Sequence, residues 1–315
     1  MTAAPLDVVT LGEAMALLVA AAPGPLETVQ TFHKRTAGAE TNVAIGLARL
    51  GFRVGWMSRL GADSWGRYLL AEMQREGIDC SRVTIDGQAR TGIVLKERAA
   101  GGRDPAIEYH RKGSAASRMT PAELDRAFLV SARHLHATGV FAGVSASCLD
   151  TLRAAIEIMK DAGRTVSFDP NLRPTLWPSR SVMAQTLNGL AARCDWMLPG
   201  LDEGRILTGL STPEDIAGFY LDQGAQWVTV KLGADGAYYR GRHQAGYVPA
   251  VPVGTIVDTV GAGDGFAVGV ISALLEGRSI DAAVRRGAWI GARALQFLGD
   301  TEGLPLRREL DEAGR

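Results

Sequence analysis

The chain has 315 residues, 46% hydrophobic and 22% charged, an ordinary globular balance that needs no disulfide or metal staple. Its 34 basic side chains meet 34 acidic ones, and this zero net charge argues against nucleic acid or an acidic membrane as partner. Cys80, Cys148 and Cys194 are far apart and form no C-x-x-C pair, which excludes a disulfide framework or cysteine zinc site and fits a reducing cytoplasm.

Residues 8–11 open the chain as a β-type run. The apolar stretch 14–22 follows Asp7 and Glu13 with no Lys or Arg before it, so it lacks the positive flank of a secretion signal. It is expected as extended chain inside the fold, ending in the turn Pro23-Gly24-Pro25. No run approaches the ~18 apolar residues of a membrane span. Residues 42–50 read as a helix with Val43, Leu47 and Leu50 on one face. Then 54–58 is strand-like and 64–76 helical. Residues 92–98 and 107–111 flank the turn-rich 99–105 and predict antiparallel strands. The alternation resumes with a strand at 131–138, a helix at 149–161 and a strand at 165–168. It continues through helix 181–192, strand 196–198, helix 216–223 and strand 227–231. Residues 265–298 are almost wholly helical. Repeated β-α alternation predicts an α/β fold of three layers, a mainly parallel sheet with helices on both faces. The stretches 13–35 and 91–112 lack following helices and predict a small antiparallel β lid beside it.

The strongest chemical signal is Asp258-Thr259-Val260-Gly261-Ala262-Gly263-Asp264 before a helical pattern. Small residues let the backbone turn tightly and aim N–H groups into one space, and a helix N-terminus adds positive potential there. Such a cup suits a phosphate or developing negative charge, and Asp264 at its mouth could take a hydroxyl proton. A plain glycine-rich turn is the competing reading. A P-loop is excluded because the chain has no Gly-Lys dipeptide. Phe266 stands where a dinucleotide fingerprint needs glycine, which removes a nicotinamide dehydrogenase.

These residues match the D-T-x-G-A-G-D signature of the ribokinase-like (pfkB-type) carbohydrate kinases. Gly38-Ala39-Glu40-Thr41-Asn42-Val43-Ala44 resembles that family's G-G-x-x-x-N-x-A motif, with Ala39 for the second glycine. Arg59-Leu60-Gly61-Ala62-Asp63 with Gly66 resembles its G-x-D-x-x-G element. The resemblance covers nearly the whole chain and implies one kinase domain over 1–315. It implies Asp264 as base and Gly261, Ala262 and Gly263 as the anion hole.

Within the family the chain is most similar to the 2-keto-3-deoxygluconate kinases. Tyr109-His110-Arg111-Lys112-Gly113-Ser114-Ala115-Ala116-Ser117 and Asp169-Pro170-Asn171-Leu172-Arg173-Pro174-Thr175-Leu176-Trp177 resemble their Y-x-R-x-x-S-A-A-S and D-x-N-x-R-x-x-L-W segments. Asp300, after the last long helix, falls where relatives often carry an acidic substrate contact. A sugar carboxylate suits the fixed fork of an arginine, here Arg173 or Arg111. Tyr109 and Arg111, two apart on a strand, share a face. Gly38 lets a hydroxyl approach the backbone closely, and Asn42 could orient it. Surface pairing for Arg173 and Arg111, packing for Tyr109 and helix capping for Asn42 are the plainer readings.

Lys231-Leu232-Gly233-Ala234-Asp235-Gly236 resembles the family's nucleotide-side K-x-G-x-x-G turn, though a simple hairpin has the same composition. Asn171 and Ala288 are placed near the nucleotide by the same resemblance. Glu203 keeps the acid of the N-x-x-E element for magnesium, while Gly200 replaces its asparagine. The expected reactants are ATP and a sugar acid, with Mg2+ and a monovalent cation as further candidates. A neutral-sugar kinase of the fructokinase or ribokinase type, or a non-catalytic sugar-acid sensor, is the alternative. An exposed lid face is an expected surface for a homo-oligomer, a dimer or higher. His134 and His136 lack a third ligand and are assigned no metal.

Overall fold

The computed structural model describes residues 5–98 and 106–314. The turn expected at 99–105 lies outside these described residues. The chain opens with β1 (Val8–Leu11), β2 (Met15–Pro23), β3 (Phe32–Ala37) and α1 (Ala39–Arg49). Next come β4 (Val54–Gly61), α2 (Ser64–Arg75), β5 (Asp79–Asp86), β6 (Gly92–Arg98) and β7 (Ile107–His110). The middle holds α3 (Arg126–Ser131), β8 (His134–Thr138), α4 (Gly139–Val144), α5 (Ala146–Asp161) and β9 (Thr165–Asp169). Then follow α6 (Arg180–Ala191), β10 (Trp196–Met197), α7 (Leu201–Thr208), α8 (Pro213–Asp222) and β11 (Trp227–Lys231). The chain ends with β12 (Ala237–Gly241), β13 (Ala245–Val248), α9 (Ala262–Leu275), α10 (Ile280–Ala294) and α11 (Arg307–Glu312).

The main sheet runs β13-β12-β11-β10-β9-β8-β1-β4-β5. From β5 to β11 every neighbouring pair is parallel. Its central strands, among them β1, β8 and β9, are buried on both faces, so successive residues enter different cores. Val8 packs with α1, α2, α9 and α10, whereas Val9 and Leu11 pack with α5, α6, α7 and α8. Order reverses about β1, whose neighbours are β4 and β8. The crevice beyond the carboxyl ends of the strands there is where open α/β sheets hold ligands.

A second sheet, β3-β2-β6-β7, leaves the main one after β1 and again after β5. β2–β3 and β6–β7 are antiparallel, as expected. The two excursions meet through β2 and β6, which are parallel. A parallel pair needs a crossover between its strands, and the α1-β4-α2-β5 stretch supplies one. Met15, Leu17 and Val94 give this sheet its own small core.

Several boundaries differ from the sequence reading. The α1 helix starts at Ala39, with Gly38 at φ 148° as its N-cap. Asn42 therefore lies inside the first turn and does not cap. The 131–138 run divides into the end of α3 and β8. The antiparallel strands β12 and β13, closing one sheet edge, were not anticipated. The helical tail is two helices, because Gly277 at φ 74° ends the first. Those helices cross at glycines: a methyl on Gly269 would lie 2.4 Å from the Gly287 nitrogen. Gly269→Ala is therefore expected to cost about 2 kcal/mol by overpacking, read as a lower denaturation midpoint.

His134 and His136 are buried on β8, and both reach the Ser167 hydroxyl, at 2.8 and 2.9 Å. Burial holds His134 well below its usual range and His136 down at about 3, so both are neutral hydrogen-bonding groups. Among the described residues no helix is long and apolar enough to cross a membrane.

Candidate active site

The turn before α9 has the form its composition demands. Gly261, the N-cap, sits at φ 85°, and a side chain there would meet the Asp300 carbonyl at 2.5 Å. Only glycine fits without strain. Ala262 and Gly263 begin the helix, so their N–H groups have no acceptor within it and lie at its positive end. Asp264 follows in the first turn.

Asp264 is held from two sides. Its Oδ2 accepts a 2.7 Å hydrogen bond from the Asn42 amide, and its Oδ1 a longer one, 3.4 Å, from Asn171. Asn171 stands at φ 39°, a left-handed conformation that asparagine tolerates. Burial pushes the Asp264 carboxyl up to about 7, aided by the charges of Asp169 and Asp300 and opposed by Asn42 and Lys231. A carboxylate poised there can exchange a proton near neutrality.

Every residue read as a substrate contact borders one cavity, open on one side. Gly38, Asn42, Tyr109, Arg111, Arg173 and Asp300 all line it. It lies between the small sheet and the switch point of the main one. Gly38 brings its backbone against the wall, since a side chain there would meet the Glu13 carbonyl at 2.6 Å. Tyr109 is 46% exposed, with Arg111 6.0 Å from its ring centre. Arg111 is not a solvated surface charge. It is buried and donates from Nε to Glu13 at 2.7 Å. Arg173 differs, because among the described residues its polar contact is to the neighbouring Leu172 carbonyl, at 2.9 Å. Among the described residues it has no carboxylate partner. Asn42 presents a buried Oδ1 without a partner, open to a hydroxyl donor.

The residues expected on the nucleotide side divide. Lys231, at the end of β11, pairs with Asp169 at 2.6 Å and lies 3.7 Å from where a Gly263 side chain would begin. Its ammonium thus stands beside the anion-binding turn. Burial pushes Asp169 up to about 6 despite Lys231. Gly233 and Asp235 are exposed on a single helical turn leading to β12. Gly236, at φ 95°, is explained by the hairpin, since a side chain there would strike the Val248 carbonyl at 2.1 Å. Asn171, expected on the nucleotide side, turns its amide to Asp264. Ala288 is half-buried on α10 against the core.

Glu203, expected at the magnesium, braces backbone in this structure. Its Oε2 accepts from the Gly200 N–H at 2.7 Å and its Oε1 from Leu172 N–H at 2.8 Å. Both oxygens fix backbone, capping α7 and bracing the loop that carries Arg173. Among the described residues no group of three or more His, Cys, Asp or Glu could hold a metal ion.

Residues 5–307 match the pfkB family carbohydrate kinase. This chain belongs to that family. A 2-dehydro-3-deoxygluconokinase of Bacillus subtilis (strain 168) is 50% identical over 306 residues, covering 97% of this chain and 94% of that protein. Among solved structures, a PfkB protein from Polaromonas sp. JS666 is 60% identical with a TM-score of 0.90, covering 97% of this chain and 99% of that one. A fructokinase double mutant from Vibrio cholerae O395, bound to fructose, ADP and potassium ion, is 27% identical with a TM-score of 0.85, covering 98% and 99%.

In this pfkB-family chain, three charged residues of the site escaped the sequence reading. Glu13 holds both Arg111 and the Ser114 hydroxyl. Asp169 holds Lys231. Lys96, on β6, reaches Asp258 and Asp300 from the small sheet. Lys96 lies inside a strand, Asp169 ends one, and Glu13 stands in the short link between two apolar strands. That was the available signal, because a buried charge requires a partner.

Proposed function

We propose that the chain transfers the γ-phosphoryl group of ATP to the C6 hydroxyl of 2-keto-3-deoxygluconate, giving the 6-phosphate and ADP. The convergence of the expected sugar contacts on one cavity carries this reading, with unpaired Arg173 on its wall and Asp264 gripped behind Asn42. Arg173 offers a planar fork to the acid's carboxylate. Asn42 Oδ1 accepts a sugar hydroxyl. Asp264 takes the C6 proton as that oxygen bonds to phosphorus. The bond from phosphorus to the bridging oxygen breaks, and ADP leaves. The Gly261, Ala262 and Gly263 amides and the Lys231 ammonium hold charge on the moving group.

ATP is read as the donor because the helix start at Gly263 and the Lys231 ammonium beside it, 3.7 Å from where a Gly263 side chain would begin, suit a phosphate. A magnesium ion would neutralise the nucleotide's oxygens, held chiefly by those oxygens and water, with Asp169 and Glu203 nearby. A monovalent cation is a further candidate. The small sheet acts as a lid of the same kinase unit, excluding water as a competing acceptor. Its outer strands β3 and β7 offer unpaired edges, through which the chain would form a dimer or higher oligomer.

The test is ADP release measured across sugar acids and neutral sugars. The expected result is turnover with 2-keto-3-deoxygluconate well above that with fructose or ribose. A preference for the neutral sugars overturns the sugar-acid assignment, and binding without turnover overturns the kinase one. Acidity provides a second check. A base must be ionised to act, and Asp264 ionises only near pH 7. Kcat/KM should therefore fall about tenfold per pH unit below that value. The fall should steepen below about 6, where Asp169 also takes a proton and loosens Lys231. A flat profile from pH 5 to 8 would remove Asp264 as the base.

A further inference from the structure

The period of two along β6 places Lys96 on the same face as Val94, the face bordering the cavity. Its side chain is only 2% exposed. A lysine this deep is unfavourable unless its charge is matched at close range. It is matched twice, with Nζ 2.6 Å from Asp258 Oδ2 and 3.4 Å from Asp300 Oδ1.

Those partners are not ordinary surface acids. Asp258 opens the signature turn, accepting the Val260 N–H at 3.1 Å and the Gly299 N–H at 3.2 Å. The carbonyl of Asp300 is the atom against which Gly261 packs. Two chain segments, 258–261 and 299–300, are thus tied together at the base of the anion-binding turn. The ammonium completing the tie comes from the small sheet, 162 residues earlier than Asp258. A second ion pair, Arg35–Glu302, joins the same sheet to the same region at the rim, with side chains 42% and 30% exposed. Pairs that open to water hold position weakly. The buried pair is the one able to set the geometry.

We propose that Lys96 is a positioning residue that makes the shape of the 258–264 turn depend on docking of the small sheet. This rests on reading the turn as the phosphoryl-binding hole. With the sheet docked, Lys96 neutralises Asp258 and Asp300 together and the turn's amides are fixed. With the sheet away, two carboxylates face each other without a cation and the turn loosens. Sugar entry and readiness of the hole are coupled through one side chain.

Two variants test this. Lys96→Met leaves both carboxylates unmatched, at the risk of local unfolding, so the double variant Lys96→Met/Asp258→Asn removes one of those charges with its partner. Two readouts apply to each. Amide hydrogen exchange across 258–264 needs no substrate. In both variants it should run roughly tenfold faster than in the unaltered protein. Kcat for the sugar acid should fall about 100-fold with little change in the KM for ATP, because a displaced hole costs the transition state most. A folded double variant with unchanged exchange and kcat overturns the proposal. So does a raised sugar-acid KM with intact kcat, which would make Lys96 a direct sugar contact. If the unaltered protein phosphorylates no sugar acid, the functional reading fails, and the exchange measurement still decides the role of Lys96.

Discussion

Asp264→Asn is expected to lower turnover by about 1,000-fold, within the usual range for a general base, while making the protein more stable above pH 7. The loss follows from the chemistry, since an amide cannot accept the hydroxyl proton. The gain follows from burial. The folded state holds the Asp264 proton up to about pH 7, whereas an unfolded chain releases it near the ordinary carboxylate value of about 3.9. Below that lower value the group is protonated in both states, and its stabilising preference for the fold is fully present. As pH rises toward 7 the unfolded state ionises first, and that contribution is lost. Above 7 the folded state carries the whole cost of a buried charge. Asparagine carries none, and its carbonyl oxygen can still accept from the Asn42 amide. The melting temperatures of parent and variant should therefore be close at pH 4, diverge up to pH 7 and remain apart at pH 8. Thermal melts at those values together with the ADP assay provide the check. A variant as unstable as the parent at pH 8 would mean that Asp264 is well solvated, which would undercut its tuning as a base.

Much of this site was legible because it is local in sequence. The Gly261-Ala262-Gly263-Asp264 run specifies a tight turn, a helix start and a carboxylate within a few residues. No distant partner is needed to foresee that arrangement. The Tyr109 and Arg111 pair was legible for a similar reason, because strand periodicity alone places both on one face. Tertiary pairing hid the rest. Arg111 reads as a charge beside Lys112, yet Glu13, 98 residues earlier, buries it. Glu203 reads as a metal acid. Its hold on two backbone amides, one of them at Leu172, 31 residues away, left no mark in the sequence. Gly236 reads as part of a nucleotide turn, and the approach of the Val248 carbonyl that demands glycine there comes from a strand the sequence did not announce.

The same limit applied to the sheets. Alternating strands and helices announce a parallel sheet, because each crossover contributes its own helical period. The β12–β13 pair has no helix between its strands and is separated by only a short connection, so it left no such mark. Pairing of β2 with β6 could not be read from either hairpin alone. It joins two excursions that leave the main sheet at different strands, and it creates the roof under which Lys96 is buried.

Arg173→Ala is expected to lower kcat/KM for the sugar acid about 100-fold, chiefly through KM, while leaving the weak use of a neutral hexose nearly unchanged. A hydrogen bond to a charged partner contributes about 1.5–3 kcal/mol, and each 1.4 kcal/mol is a factor of ten. Arg173 is half-buried and its bond to the Leu172 carbonyl leaves most of its fork free, so the upper part of that range applies. Arg173→Lys should recover only part of the loss, because a point charge cannot match both carboxylate oxygens. The acid-to-hexose ratio is the decisive quantity. Arg173 follows the left-handed Asn171 and donates to the Leu172 carbonyl, so it could act instead by shaping the turn that steadies Asp264. In that case both substrates would suffer equally, since both need the same base. An unequal loss, heavy for the acid and slight for the hexose, assigns Arg173 to the carboxylate itself.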